Sequence, residues 1–183
     1  FAQLVNKYYT GFGLVNAANS VATIKYPQSH LDMVRIGLLS YGINTANNHI
    51  IDVKPVMQLK SYIIQLKNLE QGDFLGYGNT FQVDRPMKIA IVNLGYADGL
   101  FRSLSNIGTV LVKGTKVPII GRISMDVFTI DVTGLEVSLY DEVTIFGNSG
   151  KLYQSISELA DKINTIEYEL FCAIGRRVKR VYK

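Results

Sequence analysis

Apolar positions recur at helical spacing at the head of the chain. Phe1, Leu4, Val5 and Tyr8 fall on one face, and Gly11 and Gly13 punctuate its end. Residues Gly13 to Ser20 then predict a short strand running into a loop, and Val21 to Lys25 opens a helix that stops before Pro27. A second short apolar strand is expected over Asp32 to Gly37. Strand, helix and strand in this order make a βα rhythm, the mark of a parallel sheet or an α/β barrel. Two strands cannot close a barrel of eight, so most of any such barrel is expected upstream of Phe1. From about residue 53 the texture turns to β. Val53 to Asn68 reads as one long segment. Further strands are expected over Phe74 to Tyr77, Met87 to Leu94, Thr109 to Val112, Lys116 to Ile120, Val127 to Val132 and Glu142 to Phe146. Ser155-Ile156-Ser157-Glu158 has the form of a capping box, and Ile156, Leu159, Ala160 and Ile163 give its helix an apolar stripe. The expected fold is thus an α/β barrel fragment over residues 1–52, followed by a mostly-β domain over 53–183. The latter is a small sandwich or barrel with one or two helices.

Composition narrows this picture. With 183 residues, 48% of them hydrophobic, the chain has room for one large domain or two small ones, and disorder does not describe it. The apolar stretches are too short and too broken to span a bilayer. A single cysteine, Cys172, excludes a disulfide framework and fits a reducing compartment. Two histidines, His30 and His49, far apart in loop-like contexts, argue against a structural zinc site. The net charge of +4 is gathered at Arg176, Arg177, Lys179, Arg180 and Lys183, less than a nucleic-acid-binding protein usually carries. The chain starts with Phe1 and shows no charged-then-apolar leader, so it reads as cut from something longer.

Several clusters carry candidate chemistry, each beside a plainer reading. Asn19 and Ser20 stand after a strand and before a helix, where free N–H groups attract an anion, or they simply cap the helix. Arg35 sits inside an apolar strand, so its guanidinium needs a partner: a structural ion pair or a ligand at the strand's end. Gly37 admits a ligand close to backbone or merely ends the strand. Gly76-Tyr77-Gly78 and Gly95-Tyr96-Ala97-Asp98-Gly99 each hold a tyrosine among glycines. Such a phenol is open to whatever approaches, and it works as an acid or base only where its surroundings favour that role. Gly-Tyr-Gly is also an ordinary turn. Gly121-Arg122-Ile123-Ser124-Met125-Asp126 offers backbone N–H groups to a carboxylate, or is a β-turn with an Arg–Asp pair. The terminal Arg176-Arg177-Val178-Lys179-Arg180 reads as an edge strand protected by charge. There is no dinucleotide fingerprint and no P-loop. Taken alone, these residues do not specify a reaction.

Their order does more. Asn16-Ala17-Ala18-Asn19-Ser20, Asp32 to Gly37 leading to Tyr41-Gly42, Lys54-Pro55-Val56-Met57, the two tyrosine motifs, Gly121 to Asp126, and Glu167-Tyr168-Glu169 followed by Cys172 and Arg177-Val178 together closely resemble the alanine racemase family, along the whole chain. The resemblance implies an N-terminal (β/α)₈ barrel that binds pyridoxal 5′-phosphate, with residues 1–52 its last part, and a C-terminal β domain over 53–183. It implies that Asn19, Ser20, Gly37 and Tyr168 lie against the cofactor phosphate and that Arg35 hydrogen-bonds the pyridine nitrogen. Tyr77 is implied as one of two catalytic bases, Tyr96 as a wall of the site entrance, Met125 as the N–H that holds the substrate carboxylate, and Asp126 as support for that loop. In this family the β domain serves the neighbouring subunit, so an obligatory homodimer with a shared active site is implied. The implied activity is interconversion of L- and D-alanine for peptidoglycan precursors in the bacterial cytoplasm. No lysine here matches the one that forms the Schiff base, which is expected upstream, so this chain alone is expected not to racemise. Two residues depart from the pattern: Asn16 stands where the family usually has a histidine that bonds the arginine, and Phe171 where proline is common. A serine or broad-specificity racemase is the near alternative. A non-catalytic β domain, binding a partner or nucleic acid through its basic C-terminus, is the distant one.

Overall fold

The helical spacing at the head of the chain is realised as α1 (Ala2–Tyr8), which ends where Tyr9 turns to extended backbone. This computed structural model describes residues 1–11, 13–44, 46 and 51–182, so His49 and Lys183 lie outside it. β1 (Asn16–Asn19), α2 (Ser20–Lys25) and β2 (Met33–Arg35) follow in the expected order. β1 and β2 pair in parallel, with Asn16 opposite Met33 and Asn19 opposite Arg35. A parallel pair needs a crossover, which α2 and a 3-10 turn at Pro27–Ser29 supply. α2 starts at Ser20 because Asn19 caps it, Oδ1 accepting the Ala22 N–H at 2.9 Å. It stops at Tyr26, since the residue before a proline avoids helical backbone.

The chain divides into two compact units, Phe1–Met57 and Gln58–Lys183. The texture of the sequence changes near Val53, but Lys54 to Val56 belong with the first unit. The Lys54 carbonyl packs so closely on Gly42 that a Cβ there would meet it at 2.0 Å. The Val56 N–H donates to the Tyr41 carbonyl, and Pro55 has no N–H to give a strand.

The second unit is a barrel. Its strands are β3 (Leu59–Leu69), β6 (Met87–Val92), β7 (Thr109–Val112), β8 (Thr115–Ile120), β9 (Phe128–Asp131) and β10 (Glu142–Ser149), with β4 (Phe74–Leu75) and β5 (Phe81–Gln82) forming a separate hairpin. Every pairing within this unit is antiparallel. The order β10-β3-β6-β9-β8-β7 returns to β10, because β10 also pairs with β7 through Val143↔Val112 and Thr144↔Leu111. β11 (Leu152–Gln154) extends β10 outside this ring. Its core is apolar, with Ile63, Ile89, Val110, Ile119, Ile130 and Ile145 almost wholly buried. Of the two architectures open to the sequence, the structure takes the barrel. α3 (Ile156–Lys162) begins as the capping residues require, with Ser155 Oγ accepting the Glu158 N–H at 3.0 Å. A second helix, α4 (Glu167–Ala173), follows.

Some expected elements are corrected. β3 begins only at Leu59, after the chain leaves the first unit. The strand expected over Phe74 to Tyr77 ends at Leu75, because Gly76 turns left-handed at φ +78°. The basic terminus is not an edge strand. Arg180 bends back and donates to the carbonyls of Ile174, Gly175 and Val178 at 2.8, 2.6 and 2.9 Å, so this backbone bonds to its own side chain.

Candidate active site

The first unit gathers Asn19, Ser20, Arg35 and Gly37. Asn19 and Arg35 face each other at the exits of the two parallel strands. The Gly37 N–H donates to Ser20 Oγ at 2.9 Å, joining the two strand exits. Ser20 is buried, and among the described residues its own O–H has no protein acceptor. The first N–H groups of α2 have no intrahelical partners, and of these the Ala22 N–H is taken by the Asn19 cap. An O–H donor beside free backbone N–H groups is a donor set that suits a phosphate. Arg35 donates through Nη1 to Asn16 Oδ1. Asparagine at this position therefore accepts a hydrogen bond from one nitrogen of the guanidinium.

The second unit gathers the other candidates at one rim of the barrel. Leu75 and Phe81 pack on Val83, Met87, Ile89 and Ile120, and this cluster carries the β4–β5 hairpin whose tip is Gly76-Tyr77-Gly78. The tip leans on the loop 121–126. A Cβ at Gly76 would meet the Arg122 nitrogen at 2.8 Å, and one at Gly78 would meet the Arg122 guanidinium at 2.8 Å. Tyr77 is left 73% exposed. On the other side of loop 121–126 lies the loop 95–99, which forms a 3-10 turn at Tyr96–Asp98. Here the Tyr96 N–H donates to the Ser124 carbonyl and the Ala97 N–H to the Met125 carbonyl, both at 3.0 Å. Tyr77, Tyr96, Met125 and Asp126 thus share a single rim, and among the described residues the Met125 N–H makes no hydrogen bond. Tyr168 stands exposed on α4.

Arg177 is the residue that sequence reasoning left without a role. Its Nε lies 3.3 Å from Asp98 Oδ1, and its Nη2 donates to Asp126 Oδ1 at 2.6 Å. The Asp126 hydrogen bond, then the Asp98 charge, raises the guanidinium's already high pKa. The Arg–Asp pair expected within loop 121–126 is corrected: Asp126 pairs not with Arg122 but with Arg177, from the far end of the chain. Arg177 and Arg180 thus spend their guanidinium donors on contacts within the chain.

The family profile described as alanine racemase, C-terminal domain, matches residues 56–182. The chain belongs to the alanine racemase family. Alanine racemase 2 of Oceanobacillus iheyensis is 45% identical over 172 residues, which cover 92% of this chain and 44% of that protein. Two solved alanine racemases superpose closely. That of Bacillus anthracis with bound L-Ala-P has a TM-score of 0.88 at 33% identity, covering 97% of this chain and 46% of the other. That of Bartonella henselae with covalently bound pyridoxal phosphate has a TM-score of 0.85 at 33% identity, covering 94% and 47%. The chain thus spans about half the length of the alanine racemases it matches.

Proposed function

We propose that the protein carrying this chain is a cytoplasmic, pyridoxal-phosphate-dependent alanine racemase that interconverts L- and D-alanine for peptidoglycan precursors. The observation that carries this reading is the single rim on which the family's Tyr77, Tyr96 and Met125 come together. Residues 1–57 would be the last part of its (β/α)₈ barrel and 58–183 its β domain, a few residues past the boundary expected at 52/53. Asn19, Ser20, Gly37 and Tyr168 would hold the cofactor phosphate, and Arg35 its ring nitrogen. When bound, the cofactor supplies an electron sink for the pair left as the substrate's Cα–H bond breaks.

The chain's own residues do the rest. Arg35 does not surrender its proton, so it leaves the ring nitrogen unprotonated and the sink weak, which discourages side reactions. Tyr77 Oη removes or returns the α-proton on one face of the substrate. The Met125 N–H binds the carboxylate, and Asp126 steadies its loop. Tyr96 walls the entrance, and Tyr168 crowds the space beside the side chain, which favours a methyl group. That preference is modest, since an added hydroxyl or methylene in such a pocket shifts selectivity by about 1–3 kcal/mol. In a homodimer the rim of one subunit serves the cofactor of the other.

The full-length protein, incubated with L-alanine and pyridoxal phosphate in D₂O, tests this. The expected result is loss of the α-proton NMR signal with appearance of D-alanine, both slowed at least ~100-fold by Tyr77→Phe, the scale of a lost general base. Absence of exchange from alanine with cofactor bound would sink the assignment. Exchange of serine instead would move it to the neighbouring specificity. The 183-residue chain alone is expected to show no turnover, because none of its lysines matches the second base.

A further inference from the structure

Both peptide groups that flank Met125 are fixed from the loop 95–99. A trans peptide is planar, and its C=O and N–H point in opposite directions. The Tyr96 N–H holds the Ser124 carbonyl at 3.0 Å, and that carbonyl shares a peptide with the Met125 N–H. The Met125 N–H is thereby aimed away from loop 95–99. The next peptide is held in the same manner, its Met125 carbonyl accepting the Ala97 N–H at 3.0 Å. The aim of this N–H is therefore no better than the fit of the two loops to each other.

Three contacts maintain that fit. Gly95 lets the backbones touch, since a Cβ there would lie 2.2 Å from the Met125 carbonyl. Asp98 folds its own loop, Oδ2 accepting the Gly95 N–H at 2.9 Å. Arg177 joins the loops from outside, with Asp98 on Nε and Asp126 on Nη2. The arginine is itself placed by the end of α4, where the Ala173 carbonyl abuts Gly99 so tightly that a Cβ would meet it at 2.7 Å. A lysine in its place offers one compact ammonium and cannot span both carboxylates in a fixed plane.

We propose that Arg177 is a positioning residue for substrate binding: by tying Asp98 to Asp126 it holds the Met125 N–H in line for the substrate carboxylate. This rests on the racemase reading above, so unmutated full-length enzyme is assayed first. If it fails to racemise alanine, the reading falls and this inference with it. Arg177→Gln is then compared in the full-length, cofactor-loaded enzyme. The KM for alanine and the inhibition constant of propionate, a carboxylate without an amino group, are expected to rise together by about 5-fold or more, with kcat within about 2-fold, as for loss of charge-assisted contacts. Arg177→Lys recovers part of both. Unchanged KM and propionate inhibition in a folded Arg177→Gln enzyme overturn the proposal, as does a loss confined to kcat. If Arg177→Gln does not fold, Asp126→Asn weakens the 2.6 Å contact alone and is held to the same two outcomes.

Discussion

Gly95 shows how little freedom a residue at the rim has. Its φ of −142° is ordinary extended backbone, so conformation does not demand glycine there. Space does, because the nearest atoms to a new Cβ would be the Met125 carbonyl and the Asp126 nitrogen at 2.2 and 2.5 Å, and backbone does not yield as a side-chain tip does. Gly95→Ala is expected to destabilise the barrel unit by about 2 kcal/mol, as overpacking does, and to raise the KM for alanine in the full enzyme. Gly134→Ala is the control. It meets nothing within 4 Å but keeps φ +76°, so it costs only about 1 kcal/mol of backbone strain and leaves KM alone. Urea unfolding and steady-state kinetics on both variants check the pair. At this scale the exposure of the glycine-flanked tyrosines was legible, since small flanking residues leave a phenol open, and Tyr77 and Tyr96 are 73% and 49% exposed. Arg177 was not, because its meaning lies in Asp98 and in Asp126, whose contact spans 51 residues of sequence. No local pattern marks such a pairing, and a run of basic residues looks the same whether it faces water or a carboxylate.

Among the elements, β9 joins the ring and ends in a titrating group. Asp131 Oδ1 accepts the Thr133 N–H at 2.8 Å, and Oδ2 lies 3.2 Å from Arg85. Burial alone would raise its pKa, but the Thr133 and Arg85 contacts together outweigh it and hold the carboxyl below its usual range. A carboxyl depressed in the folded state adds stability above its unfolded pKa and loses it as pH falls through the folded value. Asp131→Asn is therefore expected to be less stable than the parent at pH 7. The gap should close as the pH drops below about 4, near the unfolded carboxyl's pKa, when unfolding is followed by urea titration from pH 7 to 3. A gap that is constant with pH would contradict the assignment. β6, β8 and β9 were readable as short runs rich in apolar residues. β5 and β11 were not, being two and three residues long, too short to show a period. The terminus misread as a strand shows the same weakness from the other side. Its composition suits an edge, yet Arg180 takes up its carbonyls.

For the molecule as a whole, the family match over 56–182 and the compact unit Gln58–Lys183 nearly coincide. Residues 56–182 produced alone are expected to unfold in one cooperative step, with slow amide exchange in β3, β6 and β9. A gradual melt that binds hydrophobic dyes would show that the barrel needs the rest of the protein. The βα rhythm of the first unit was legible, and its parallel pair confirms that rhythm. The closure of the second unit was not, because ring closure depends on which strands meet, and β3 and β7 both meet β10. That last pairing has a consequence for synthesis. Glu142 pairs with Tyr62, a partner that leaves the ribosome far ahead of it. The ring therefore waits for its last strand, and a nascent chain halted short of residue 142 is an open sheet with two unpaired edges, the form most prone to join a neighbour's strand before its own arrives.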